Sequence, residues 1–438
     1  MVNPIHHYEW GSRTALAWIQ GREPSGRPEA ELWMGAHPLA PSRLIAADGT
    51  EHDLDALVTD SPIETLGARA SSRFDGRLPF LLKVLAFDQP LSVQVHPDAA
   101  HARRAWEAQQ ERTATAPADA AASSEAGSEA EVGTGTGVEA RNGSGHTTDP
   151  HYYSDPYAKP EMLYALQPID AMCGFRSAER ARELVELLDC DRLSELAADL
   201  TSEEASEEDR LRRAFARLLH WPAEDRAGLA ADLGKRARVL LATAGGRGTG
   251  PSATDRRALT WCSRLSRLYP EDPLVAAPLL LDLFRLDPGD TLFVPAGAPH
   301  AYLYGLGVEI MANTDNVLRA GLTHKPVAVD ELLQVVDSAT RPVRQLPQVQ
   351  LGPFEVTWRL PVDEFRLTRL RLPHDVPVSA WPYLSGPQVL LCSAGTVTVH
   401  VGGRTEVLTP GESVFLGAGG GPLSVNGPGE LFRAATGA

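Results

Sequence analysis

The sequence predicts a mostly β fold carrying an α-helical domain, and three observations predict it. Short apolar runs separated by turn signals fill the first hundred residues, a 3.6-residue hydrophobic period takes over between 177 and 283, and β texture returns from residue 284 with an internal echo. In the first region LPFLLKVLAF (78–87) and LSVQV (91–95) read as strands. Residues 113–150 are rich in Ala, Gly, Ser, Thr and Glu, with Val132 and Val138 as the only bulky apolar side chains, so they read as a disordered insertion that buries too little to offset its ordering entropy. In the helical region Leu211, Phe215, Leu218 and Leu219 share one face, and Thr201 with Glu204 reads as a capping box opening that helix. GGRGTG (245–250) follows a helical pattern and lacks a Gly-Lys-Ser/Thr continuation, so it reads as a linker and not as a phosphate loop.

The echo relates PGDTLFVPAGAPH (288–300) to PGESVFLGAGGGP (410–422) without gaps at an offset of 122 residues. Each copy is a Pro-Gly-acid turn, an apolar strand and a Gly-rich turn, which implies two related β modules. Val397, Val399 and Val401 alternate with polar residues before Gly402-Gly403, the pattern of a hairpin with one buried face. The copies differ where it matters chemically, because the first ends in His300 and the second in Pro422.

Composition narrows the function classes. The chain has 438 residues, 43% hydrophobic and 22% charged, as expected of a globular protein of two or three domains. Its net charge of −16 repels nucleic acid and anionic lipid surfaces, so neither is expected as a partner. Four scattered cysteines with no CxxC pair argue against a disulfide framework and a thiolate zinc site, and fit a reducing cytoplasm. The stretch PLVAAPLLLDL (273–283) is too short and Pro-broken to span a bilayer, and no targeting segment is apparent.

The chemistry-bearing residues are dispersed. Gln94 and His96 are two apart on a strand and so share a face, opposite Val93 and Val95. Glu161 in AKPEMLYAL and His300 in PAGAPHAYL could complete an oxygen and nitrogen site for one cation, although a Glu after Pro also reads as an exposed strand start and a single His after a turn as a hydrogen-bonded structural residue. Zinc, manganese, iron and cobalt all accept such a set. Separations of 65 residues from His96 to Glu161 and 139 from Glu161 to His300 mean that only the tertiary fold can join them.

The ordered series YEWGS (8–12), ELWMGAHP (31–38), LSVQVHPD (91–98), KPEM (159–162), PAGAPHAYL (295–303) and MANTDNVLRAGLTHK (311–325) resembles the type I mannose-6-phosphate isomerases. The resemblance implies two cupin-like jelly-roll modules and a helical insertion: a catalytic cupin domain over 1–176 and 284–330, a helical domain over 177–283, and a C-terminal cupin-like domain over 331–438 that lacks a metal site. It implies one zinc ion per chain on Gln94, His96, Glu161 and His300. It places an essential arginine at Arg319, with Glu309, Asp315, Lys325, Ser92, Lys83 and Lys159 around a sugar-phosphate cleft. The implied activity interconverts mannose 6-phosphate and fructose 6-phosphate through an enediol, in the carbohydrate metabolism that leads to GDP-mannose. For proton transfer Glu309 is the first candidate and Lys159 the second, because Ala158 stands where the family usually has histidine. Arg319 is left to hold either the phosphate or the enediolate. The expected partner is a small sugar phosphate and the expected state a monomer. A ferrous cupin oxygenase and a non-catalytic sugar-phosphate-binding protein are the two other classes these residues allow.

Overall fold

The computed structural model describes residues 1–46, 48–115, 152–243, 251–340, 346–374, 378–381 and 386–437. Most of the expected insertion and the whole linker at 245–250 lie outside the described residues. The insertion's first three residues belong instead to the helix Ala99–Thr115.

A ten-stranded antiparallel assembly is built on the thirteen-residue strand His300–Ala312. Its second half pairs with Phe80–Phe87 on one side and Glu161–Ala165 on the other. Its first half pairs with Ile169–Phe175 and, at His300, with Gln94. The switch between partners occurs at a register shift between Tyr302 and Tyr304 and at Gly305, whose φ of 141° and close approach to Ile169 leave no room for a side chain. One strand therefore carries His300 into one sheet and Glu309 into the other. Period-two alternation then divides each strand: Leu82, Val84 and Ala86 pack toward the C-terminal module, while Lys83, Leu85 and Phe87 face the opposite side.

The region read as helical contains Ala178–Leu188, Ser194–Thr201, Glu207–Leu219, Arg226–Thr243 and Ala253–Leu268. Leu211, Phe215 and Leu218 are fully buried, and Phe215 meets Phe175 edge-on at 5.4 Å. Two local expectations fail here. Thr201 ends a helix, its hydroxyl donating back to the Ala197 carbonyl, and the following helix is capped by Ser206, whose Oγ accepts from the Asp209 N–H. Ser206 directly precedes three acidic residues suited to a helix N-terminus, whereas Thr201 does not. Strand Leu281–Leu286 also begins inside the stretch assigned to helix, because Leu281 and Leu283 are buried while Asp282 and Phe284 are half-buried, an alternation of two.

Beyond residue 346 a six-stranded and a four-stranded antiparallel sheet enclose Leu370, Leu390, Val397, Val399, Val425 and Leu431. The echo is structural as well as sequential: Thr291–Val294 and Ser413–Leu416 are both strands, each preceded by a glycine with φ near +100°, at 105° for Gly289 and 85° for Gly411. The Val397–Val401 hairpin turns through Gly402 and Gly403, both with positive φ. The two β modules share a core in which Phe432 and Trp358 pack on Tyr164.

Candidate metal centre and cleft

Three of the four dispersed donors converge. His96, Glu161 and His300 place one ligand atom each within 4.8 Å of one another, and all three are buried. Glu161 Oε1 lies 3.2 Å from His96 Nε2, and Glu161 Oε2 lies 3.5 Å from His300 Nε2. The tautomers are fixed from behind. His96 Nδ1 donates to the Asn316 carbonyl and His300 Nδ1 to the Ala298 carbonyl, both at 3.1 Å, so each Nε2 turns a lone pair toward Glu161. Burial pushes His96 down to about 4, which keeps its imidazole neutral. Among the described residues its Nε2 has no hydrogen-bond partner, although it is inaccessible to solvent. A buried nitrogen with an unused lone pair beside a carboxylate and a second imidazole is the donor set that a divalent transition metal satisfies.

Gln94 is the cross-strand neighbour of His300 and also of Arg319. Its amide N–H donates to Ser92 Oγ at 3.1 Å, which leaves the carbonyl oxygen available. Gln94, Glu161 and His300 open into a cleft of about 420 Å³ that also receives Ser92, Lys83, Lys159, Glu309, Asp315, Arg319 and Lys325. All the sequence-derived site residues therefore border this cleft except His96, which sits behind its wall.

The cleft has a charged floor. Lys83 Nζ lies 3.3 Å from Glu31 and 3.7 Å from Glu309, and 4.6 Å above the Trp33 ring. Burial alone would lower the Lys83 ammonium, but Glu31, Glu309 and Glu161 outweigh it and raise it above the ordinary lysine range. Glu309 goes the other way: burial, then repulsion from Glu161, pushes its carboxyl up to about 8. Lys159 lies 3.4 Å from Glu161, and Asp315 lies 3.2 Å from His37. Toward the mouth, Arg319 makes no side-chain hydrogen bond or ion pair among the described residues, and Lys325 is lowered by burial and then by the charge of Arg319.

A profile described as the catalytic domain of type I phosphomannose isomerase matches residues 1–178. Over 441 aligned residues, 99% of this chain and 98% of the relative, the chain is 36% identical to mannose-6-phosphate isomerase of Escherichia coli K12. The chain belongs to the type I mannose-6-phosphate isomerase family. The family's enzyme from Salmonella typhimurium LT2 is 34% identical across 99% of this chain and 98% of its own. A crystal structure of a mannose 6-phosphate isomerase in its zinc-bound holo form superposes with a TM-score of 0.79 at 31% identity, covering 100% of this chain and 98% of the other. Family membership does not favour the ferrous oxygenase or the non-catalytic reading.

Within the family frame, reasoning from sequence passed over several residues. Glu31, Trp33 and His37 lie in ELWMGAHP, a motif whose sequence alone assigns them no role. Tyr302 lines the cleft two residues after His300 on the same strand, where period two puts both side chains on one face. Asn316 holds His96 through its main-chain carbonyl, and its side chain is itself fixed by five hydrogen bonds with Ser154, Asp155 and Tyr157, which its identity alone does not signal.

Proposed function

We propose that the chain is a zinc-dependent aldose–ketose isomerase that interconverts D-mannose 6-phosphate and D-fructose 6-phosphate. One observation carries the reading: Glu161 and His300 of the buried cluster with His96 line the same cleft as the neighbouring cations Arg319 and Lys325. That cleft offers a site for a reacting carbonyl at one end and for a dianion at the other.

Gln94, His96, Glu161 and His300 would hold the zinc. When bound, the ion supplies Lewis-acid polarisation of the sugar oxygens. The remaining work falls to side chains. Glu309, buried and with a carboxyl raised toward the working pH, takes the proton from C2 of the open-chain aldose and returns it to C1, while the hydroxyl proton passes from O2 to O1. Lys83, fixed between Glu31 and Glu309, keeps a positive charge beside the developing enediolate. Lys159 donates toward the substrate oxygens from beside Glu161, and Ser92 orients Gln94. Arg319 and Lys325 repel one another in the unliganded cleft, and a phosphate dianion placed between them removes that repulsion. Asp315, tied to His37, positions the hydroxyl-bearing middle of the chain. The phosphate then acts as a remote handle that orients the reacting carbons.

Arg319→Ala should therefore lower kcat/KM by roughly 10²-fold or more while zinc stays at one per chain. Near-normal turnover of mannose 6-phosphate would exclude the role given to Arg319. The four cysteines, all free and three of them buried, suit a reducing compartment such as the cytoplasm; the proposed state is a monomer and the proposed role a step on the route to GDP-mannose. None of the described helices is long and apolar enough to cross a membrane.

A further inference from the structure

The cation-bearing end of the cleft is held from outside its own module. The segment Leu322–Lys325 lines the cleft, and it begins with a non-glycine residue in the left-handed region: Leu322 has φ 54° and is almost fully buried. Such a conformation persists only where surrounding contacts impose it. The contact responsible is Asp272, which follows the last long helix of the helical region. Asp272 Oδ2 accepts the Leu322 N–H at 2.5 Å, and Oδ1 accepts the Leu274 N–H at 2.8 Å. The Thr323 N–H is also directed at this carboxylate. One half-buried side chain thus caps the turn Pro273–Ala276 and pins two consecutive amides of the cleft segment.

Two further observations point to the same junction. A methyl group built on Gly321 would lie 2.8 Å from Asp272 Oδ1 and 2.8 Å from Leu274 Cβ, so the segment passes here only without a side chain. On the other wall of the cleft, Tyr269 donates from its hydroxyl to the Pro90 carbonyl at 3.2 Å, and its ring lies 6.3 Å from that of His324. The Tyr269–Leu274 stretch therefore touches both walls, although it contributes no residue to the metal cluster.

We infer that Asp272 is a positioning residue for the phosphate end of the cleft: by fixing Leu322 and Thr323 it sets where Lys325 and, through the strand Leu318–Gly321, Arg319 present their charges. The helical region thereby governs substrate affinity without taking part in the chemistry. This rests on the sugar-phosphate reading above, and the experiment separates the two.

Asp272→Asn keeps the size of the side chain but turns an N–H donor toward amides that need an acceptor. Gly321→Ala leaves the carboxylate in place and displaces the segment from the other side. For the wild type and both variants, KM and kcat for mannose 6-phosphate, the inhibition constant of inorganic phosphate, and zinc content are measured. Both variants are expected to raise KM and the phosphate inhibition constant together by about tenfold, the effect of one hydrogen bond to a charged group, with kcat within about threefold and zinc unchanged. Folded variants with wild-type KM and phosphate inhibition overturn the inference. So does loss of zinc or of the fold in parallel with kcat, which would make Asp272 a structural residue only. A wild-type chain that does not turn over mannose 6-phosphate refutes the isomerase reading instead.

Discussion

His300→Ala is expected to lose metal and turnover together. His300 supplies one of three ligand atoms gathered within 4.8 Å, and its imidazole is held in the ligating tautomer by the Ala298 carbonyl. Alanine removes the donor and leaves Glu161 with His96 on one side only. Even loss of a residue that merely orients a ligand weakens metal binding by about 10–100-fold. Loss of the ligand itself should exceed that, and activity should fall by at least about 10³-fold with it. Elemental analysis of the purified variant beside a coupled assay checks both. Stoichiometric zinc with full turnover would remove His300 from the centre.

Glu309→Gln should act on the proton and not on the metal. Kcat is expected to fall by roughly 10²–10⁴-fold, the range of a general acid–base, with zinc at the wild-type level. The limb of the kcat/KM profile that reports Glu309 ionisation should vanish in the variant. Stability supplies an independent readout in chelated protein. Burial and Glu161 raise the Glu309 carboxyl from an ordinary 4.5 to about 8, so the folded chain binds this proton more tightly than the unfolded chain. Its contribution is fully present below about 4.5 and is lost as pH rises through 8. Urea midpoints of the metal-free wild type should carry that decline, and those of Glu309→Gln should lack it. A variant with unchanged kcat would return the proton-transfer role to Lys159.

How much of this was legible in the sequence depends on the range of the interaction. Gln94 and His96 share a face because strand alternation is local, and the echo at 288–300 and 410–422 marks matching strands because a Pro-Gly turn and an apolar run are local too. Glu161 and His300 could be nominated from their donor chemistry, but assigning them to the same ion rested on the family resemblance, since nothing within either segment encodes a register 65 or 139 residues away. The register also hid Glu31, which meets Lys83 only because Glu31–Met34 and Phe80–Phe87 pair. Asp272 was hidden for the same reason: its partners Leu322 and Thr323 lie some fifty residues downstream and donate to it from backbone amides, which leave no trace in side-chain identity. Short-range signals failed where two candidates competed within a few residues, as at Thr201 and Ser206.

Four side chains, Gln94, His96, Glu161 and His300, are proposed to hold one zinc ion that this chain needs to isomerise mannose 6-phosphate. It is tested most directly by following fructose 6-phosphate formation from mannose 6-phosphate by the purified protein before chelation, after chelation and after zinc is restored. Turnover with one zinc per chain, its loss on chelation and its return with zinc are expected. Undiminished turnover by the fully chelated protein, or none by the zinc-loaded protein, would contradict it.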